Sequence, residues 1–487
     1  MSETPETPDD PRTPRNPRNP RNPAPSQSPA PRPQSRRRFL AQAAAGAAGV
    51  GIFHIVPAHV LGGPGRTAAN DKLDVACIGI GGRGAASVHA CKDENIVALC
   101  DVDDGRGADT FNAYPKAERF RDFRKMLDLV GDRIDAVTVG TPDHTHAVAV
   151  TAALRLGKHV YCEKPLAHSI DEIRAMATLA RAKGVVTQLG NQGHSSDDIR
   201  TFVEWVRGGA IGEVSEIHAS CDAFPEVYCQ MSKLPQLAEK HEVPSNLDYD
   251  LWLGPAAHRD YSPLWVPWNW RGWLPFGTGC IGDFACHVLD PSFWALELGS
   301  PSSIRAEVDA SYDPRQHALV YPPGAKITWK FPATGSRGAV SLSWFDGKMR
   351  PPSPSSREGA GLAGVSLHGT GAIVYGSKGA IVHSSHGAGG VTLFPAARSK
   401  EFERPAKSIE RVRGHHEDWI DSIRAGRKAG ADFAAYGAPL TEVALLGAIA
   451  IRFPGDELRW DASAMRFTNH DGANAYVTSK YRAGWTL

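Results

Sequence analysis

The chain has 487 residues, 42% of them hydrophobic and 22% charged, and a formal charge of +1. Such a length and composition suit a soluble protein of two or more domains, and the near-zero charge gives no support for a nucleic-acid partner. The charge is unevenly spread: the first 62 residues carry eight arginines and four acids, a net of +4, which leaves −3 for the remainder.

Residues 1–34 repeat Pro-Arg-Asn and Ser/Gln/Pro clusters, a low-complexity composition that cannot bury a core. Ser35-Arg36-Arg37-Arg38-Phe39-Leu40 follows, and no Asp, Glu, Lys or Arg occurs from Phe39 to Gly65. This stretch, residues 35–69 with its linker, resembles a twin-arginine export signal: paired arginines precede a moderately apolar Ala/Gly/Val segment. Glycines with Pro57 and Pro64 argue against a membrane-spanning helix there. The expectation is export, periplasmic or extracytoplasmic, by the twin-arginine machinery, which carries folded and often cofactor-loaded proteins.

The next stretch organises the rest. Leu73 to Ile78 is an apolar run with β-branched residues, and Gly79, Gly81 and Gly84 then fall in a G-x-G-x-x-G pattern that includes Gly82 and Arg83. Ala85 to Cys91 reads as a helix, Ile96 to Cys100 as a second strand, and Asp101 closes it, 22 residues after Gly79. Strand, tight turn, helix, strand and acid in that order suit a dinucleotide: glycines let the backbone approach a pyrophosphate, and the helix N-terminus offers N–H donors. An acid at Asp101 can accept hydrogen bonds from ribose hydroxyls and would repel a ribose phosphate. NAD is therefore expected, with Arg83 and Arg106 keeping NADP open.

The βα alternation continues through helix Phe123 to Val130, strand Ile134 to Val139, helix His144 to Leu156, strand His159 to Cys162, helix Ile170 to Lys183 and strand Val185 to Leu189. Alternation at this spacing predicts an α/β Rossmann domain, a parallel doubly wound sheet over residues 70–190, with ligands at the carboxyl ends of its strands. Two loops lie there: Thr141-Pro142-Asp143-His144-Thr145-His146 and Glu163-Lys164-Pro165. Helix Asp197 to Arg207 and strand Val214 to Cys221 follow. Alternating runs such as Lys326 to Phe331 and Ala339 to Trp344 then predict an α+β domain over residues 191–487 with a mostly antiparallel open sheet. Arg350 to Gly364 reads as a loop, and helices His415 to Ala425 and Leu440 to Arg452 are expected to pack back on the first domain. No cysteine pair has C-x-x-C spacing and no Cys/His spacing reads as a zinc site. Cys77, Cys100 and Cys162 belong to buried strands, whereas Cys221, Cys229, Cys280 and Cys286 are open to pairing after export.

With the glycine turn, Glu163-Lys164-Pro165 and Gly282-Asp283-Phe284-Ala285-Cys286-His287, the chain from about Leu73 onward resembles the Gfo/Idh/MocA family of NAD(P)-dependent oxidoreductases. The resemblance implies a Rossmann domain followed by an α+β domain whose sheet forms a homo-oligomer interface, and a sugar, inositol or polyol substrate. It implies that Lys164 lies beside nicotinamide and substrate with Pro165 in a cis peptide, and that Asp283 and His287 face the substrate. The cofactor would contact Gly79, Gly81, Gly82, Arg83, Gly84, Asp101, Thr141, Pro142, His146, Glu163, Lys164 and Pro165.

The residue types suit that chemistry on their own terms. Removing hydride from a secondary alcohol needs a group to take the hydroxyl proton, a role open to a histidine near neutral pKa, while a lysine cation favours ionisation of the hydroxyl. Asp283 and His287, four residues apart, share one helix face, so Asp283 can orient the imidazole or hold a neighbouring hydroxyl. Trp252, Trp265, Trp268, Trp270 and Trp273 crowd 22 residues, either as a sugar-stacking surface, with Trp270 foremost, or as a packed aromatic loop. Asn191 and Gln192 follow a strand end, where an amide can reach a hydroxyl. Three functions remain: a sugar or polyol dehydrogenase, an NAD-dependent glycoside hydrolase using transient ring oxidation, and a non-catalytic sugar-binding protein, against which Lys164, Asp283 and His287 together argue.

Overall fold

The computed structural model describes residues 71–487 apart from 357–361, 363–364, 366 and 368. The expected export signal and the middle of the Arg350–Gly364 loop lie outside the described residues. The apolar run at the head of the described chain is strand β1 (Asp74–Ile78), followed by β2 (Asn95–Cys100), β3 (Glu118–Phe120), β4 (Ala136–Val139), β5 (His159–Glu163) and β6 (Thr187–Gly190). These form one parallel sheet in the order β3-β2-β1-β4-β5-β6. The order reverses beside β1, and the crevice at such a switch point is where doubly wound sheets bind ligands.

Several helix bounds follow from local caps. Asp122 accepts the Arg124 N–H ahead of Phe123–Val130. Ser169 and Glu172 form a capping box on Ile170–Lys183, which stops at left-handed Gly184. Ser196 accepts the Ile199 N–H of Asp197–Arg207. The longest helix not anticipated is Asp104–Ala113, capped by Asp103. Its two glycines lower helix propensity, but a Cβ at Gly107 would lie 2.8 Å from the Phe111 ring, so packing requires a glycine there.

The second sheet has nine strands: β7 (Val214–Cys221), β8 (Ser303–Val308), β9 (Gly324–Phe331), β10 (Val340–Gly347), β11 (Gly371–Gly376), β12 (Gly379–Ser384), β13 (Thr392–Phe394), β14 (Glu457–Asp461) and β15 (Arg466–Phe467). Their order is β13-β12-β11-β7-β10-β9-β8-β14-β15. All pairs are antiparallel except β7 with β10. Helix Gly279–Val288 packs between this sheet and helix Ala438–Ala450. The latter is buried on nearly all sides, which explains its lack of a polar face.

Helix His415–Ala425 returns to the first sheet, where Trp419 and Ile420 join Val75, Cys77 and Tyr161 in one apolar cluster. The chain entering that helix is tied down by Glu204, whose buried carboxylate accepts from Ser408 N (2.8 Å), Ile409 N (2.9 Å) and both terminal nitrogens of Arg411. The Arg411 guanidinium pulls the Glu204 carboxyl from 4.5 down to about 2. A carboxyl depressed in the folded state contributes stability at pH above its unfolded value, and that contribution fades as pH falls from about 4.5 toward 2. Urea midpoints of the wild type should therefore drop across that window, and Glu204→Gln should lower the neutral-pH midpoint while flattening the acid slope. An unchanged slope in the variant would rule this group out as the source.

Candidate functional site

The glycine turn is built for close approach. Gly79 has φ +73°, and a Cβ there would lie 2.7 Å from Thr141 N. A Cβ on Gly84 would lie 1.8 Å from Gly79 O, so only glycine lets helix Arg83–Ala90 start against the strand. Gly82 has φ +53° and sits under the Arg106 guanidinium. Asp101, expected as a ribose acceptor, is engaged by the chain itself: one carboxylate oxygen takes Ile80 N (2.9 Å) and Gly81 N (3.1 Å), the other Asp103 N (3.0 Å). It thus clamps the turn to the end of β2. Burial raises its carboxyl against the pull of these backbone donors.

From this turn a cleft of about 1160 Å³ runs past Asp101, Thr141, Pro142 and Glu163 to Lys164, Trp270 and Asp283. At its foot, Lys164 Nζ donates to one oxygen of Asp283. The other oxygen accepts from Tyr228 OH (2.5 Å) and Arg271 Nε (3.1 Å). Burial alone would raise the Asp283 carboxyl; the Lys164 and Arg271 cations outweigh it and hold the group well below the usual carboxylate range. The Lys164–Pro165 peptide is cis. Glu163 accepts from Arg83 Nε (3.2 Å), Ser87 Oγ (3.2 Å) and Gln192 Nε2 (2.9 Å), and its second oxygen is buried without a partner among the described residues.

His287 lies one helical turn beyond Asp283 but receives nothing from it by hydrogen bond. Its Nδ1 is buried without a partner among the described residues, and its ring stacks on His386 with centroids 4.0 Å apart. Burial, then the Lys164 cation and His386, push the imidazole well below its ordinary value, so it is neutral near pH 7. The expectation that Asp283 orients His287 is corrected here: Asp283 is committed to Lys164, Tyr228 and Arg271.

Two further expectations change. His146 is fully buried, with ring nitrogens 2.9 Å from Pro165 O and 2.8 Å from Thr141 O; it spaces the two loops from behind and does not line the cleft. Asn191 donates to Asp290 (3.0 Å), which also takes His194 Nδ1 (2.9 Å) and Tyr436 OH; this is a buried network rather than a substrate contact. The tryptophans divide. Trp265 and Trp273 pack only in the core around Phe276, Trp252 and Trp270 belong to that core and also line the cleft, and Trp268 lies on the cleft alone; Trp268 and Trp270 bracket the Arg271 guanidinium at 4.3 and 4.2 Å. Sequence reading missed Tyr228, Arg271, His386 and Asp143. Arg271 between tryptophans was the one visible signal. Asp143, pushed up to about 6 by burial, accepts from Thr278 N (3.0 Å) and Oγ1 (2.7 Å) and so ties the Thr141 loop to the start of the Asp283 helix.

Residues 73–191 match the model of an oxidoreductase family described by its NAD-binding Rossmann fold, and residues 228–336 match the C-terminal alpha/beta domain of the same family. Two separate stretches of the chain thus match the two domain models of the Gfo/Idh/MocA oxidoreductase family. Among curated members, inositol 2-dehydrogenase 1 of Saccharopolyspora erythraea is 32% identical over 30% of this chain and 44% of its own. A glycosyl hydrolase family 109 protein of the same organism is 29% identical over 37% of this chain and 44% of its own. The chain thus matches less than half the length of either relative. An inositol dehydrogenase homolog of Azotobacter vinelandii, solved with NAD+, superposes with a TM-score of 0.53 over 82% of this chain and 100% of its own at 17% identity, which shows the shared fold.

Tyr228 donates to the cleft-lining Asp283, whereas Asn191 donates to the buried Asp290. A hydrogen bond to a charged group is worth about 1.5–3 kcal/mol. Tyr228→Phe should therefore lower kcat/KM by roughly 10–100-fold with little change in Tm, whereas Asn191→Ala should lower Tm and leave the kinetics closer to wild type. Thermal melts alongside initial rates check both, and the opposite pattern would exchange their roles.

Proposed function

We propose that this protein oxidises or reduces a hydroxyl-bearing carbon of a sugar, inositol or related polyol with NAD. The observation that carries the reading is the Lys164–Asp283 pair at the foot of a cleft that begins at the glycine turn, with a neutral imidazole one turn away. The residues present fit the cofactor: the Gly79, Gly81 and Gly84 positions admit no Cβ, which keeps the turn tight and its backbone bare, and the second Glu163 oxygen is a buried acceptor without a partner among the described residues. Gly81, Gly82, Arg83, Asp101, Thr141 and Pro142 would hold it, and when bound it supplies the hydride acceptor or donor.

The chain's own groups handle the proton and the charge. The Lys164 ammonium can donate to the reacting oxygen and favour its ionised form. Asp283 pairs with that ammonium and aims it, because Tyr228 and Arg271 hold the carboxylate in place. His287, held neutral, is able to accept the hydroxyl proton. Trp268 and Trp270 provide an aromatic wall beside Arg271, suited to the apolar face of a ring.

Lys164→Ala should leave NAD affinity within a few-fold and cut turnover by about 10²–10⁴-fold, the usual scale for a positioned acid–base or electrostatic group. A substrate panel of sugars and inositols, followed for both reduced cofactor and released aglycone, tests the reaction class. Net cofactor reduction supports the dehydrogenase. Aglycone release without net reduction supports the second reading, transient ring oxidation in a hydrolase, which the relative named as a glycosyl hydrolase favours. Neither signal with any substrate would overturn both.

Asp101 supports NAD over NADP through its carboxylate, although Arg83, Arg106 and Arg121 share its cleft. Because Asp101 also clamps Ile80 and Gly81, Asp101→Ser should raise the NAD KM about tenfold, on the scale of losing a charged hydrogen bond, as well as shifting the NADP:NAD ratio toward NADP. A wild type that already prefers NADP would refute this assignment.

A further inference from the structure

Past β12 the chain turns through Ser385-His386-Gly387-Ala388, and three successive residues take positive φ: His386 +56°, Gly387 +99° and Ala388 +61°. For His and Ala this left-handed backbone is strained, and such strain persists only where the surroundings impose it. They do so from several sides. Ser196 Oγ donates to Gly387 O (2.7 Å), and Ser385 N donates to Thr370 O (3.0 Å). Beneath the turn, a Cβ on Gly193 would lie 2.2 Å from Gly387 N, so position 193 has to be glycine for the turn to sit this close.

The strained turn places the His386 ring face to face with His287 at 4.0 Å and 24°, and edge-on to Phe284 at 5.9 Å. His386 Nδ1 lies 2.9 Å from Ser385 Oγ, while its Nε2 has no hydrogen-bond partner among the described residues. The residue is exposed, unlike the buried His287. Burial of part of the ring, then the Lys164 and Arg83 cations, lower its imidazole below the ordinary value and leave it a neutral acceptor at pH 7. On the other side of Phe284 stands Phe224, also left-handed at φ +49° and half exposed. Both strained non-glycine positions therefore present a ring beside the helix segment that carries Asp283 and His287.

We propose that His386 is a substrate-contacting residue of this site, accepting through Nε2 the hydrogen bond of a hydroxyl next to the one that loses hydride, so that the site selects compounds with vicinal hydroxyls. The proposal rests on the polyol reading of the cleft. Its spatial basis is the stack itself, which holds the exposed His386 imidazole face to face with His287, the ring one helical turn from Asp283. A turn serving only to reverse the chain would need no imidazole, and glycine would relieve its strain.

The test uses His386→Gly and His386→Asn in the full chain, assayed with myo-inositol, glucose and their monodeoxy derivatives. Glycine is at ease at this φ, so the Tm of His386→Gly should hold or rise. Its kcat/KM should fall about 10–100-fold on the vicinal polyol, mostly in KM, and less than threefold on the analogue lacking the neighbouring hydroxyl. His386→Asn, which tolerates the left-handed region and keeps an acceptor, should recover part of the loss, and it decides the matter by the same comparison if the glycine variant does not fold. Wild-type kinetics in His386→Gly, or an equal loss on both compounds, would overturn the proposal while leaving the reaction class standing. A wild type that reduces NAD with no member of the panel would overturn the polyol reading and the proposal with it.

Discussion

The structure turns on a partly buried ion pair that joins its two sheets. Lys164 leaves the end of β5 in the parallel sheet, and Asp283 comes from the helix that packs on the nine-stranded sheet. Taking both charges out of water is costly, and the pair is tolerable only because the remaining carboxylate oxygen is met by Tyr228 and Arg271. Removing either partner would leave an uncompensated charge in a poorly hydrated site. The same contact therefore fixes where the helix sits and aims the lysine into the cleft.

That arrangement needs the helix start to be placed independently, and Asp143 does this. It leads the helix after the Thr141-Pro142 loop, and its carboxylate caps the other helix through Thr278 N and Oγ1. His146 sets the spacing of the Thr141 and Pro165 loops from behind. Three side chains adjacent in sequence thus have different jobs: Asp143 joins the sheets, His144 fills the space between Trp252 and Phe276, and His146 braces two loops. None of the three is distinguished by residue type, which explains how a loop of correct general importance was read with the wrong member facing the cofactor.

Elements with strong local signals were legible almost to the residue. Phe123–Val130, Ile170–Lys183, Asp197–Arg207 and His415–Ala425 have the expected bounds because side-chain caps or left-handed glycines end them. The glycine turn was legible from the spacing within its motif, whereas Lys164, Asp283 and His287 were marked by the motifs that carry the family resemblance, since no local spacing joins residues 119 apart. Asn191 was misread because a polar residue after a strand can face the cleft or the core, and the deciding partner, Asp290, lies 99 residues away. Tyr228 and His386 were invisible for the same reason: each reaches the site from a different loop of the second sheet, and nothing local marks either one.

The histidines show what burial alone leaves undecided. His144, His146 and His287 are all lowered by desolvation, yet the first two have both ring nitrogens facing carbonyl oxygens while His287 has an unpartnered Nδ1. Leaving a buried polar atom unpaired costs free energy; His383 Nε2 is in the same state in an ordinary strand, so what distinguishes His287 is the strained turn stacked on it. The cost at His287 is concentrated at the one helix position where Lys164, Asp283 and the strained His386 turn meet. A fold optimised for stability alone would satisfy that nitrogen and relax that turn; retaining both defects against each other is the arrangement expected where a substrate completes the hydrogen bonding.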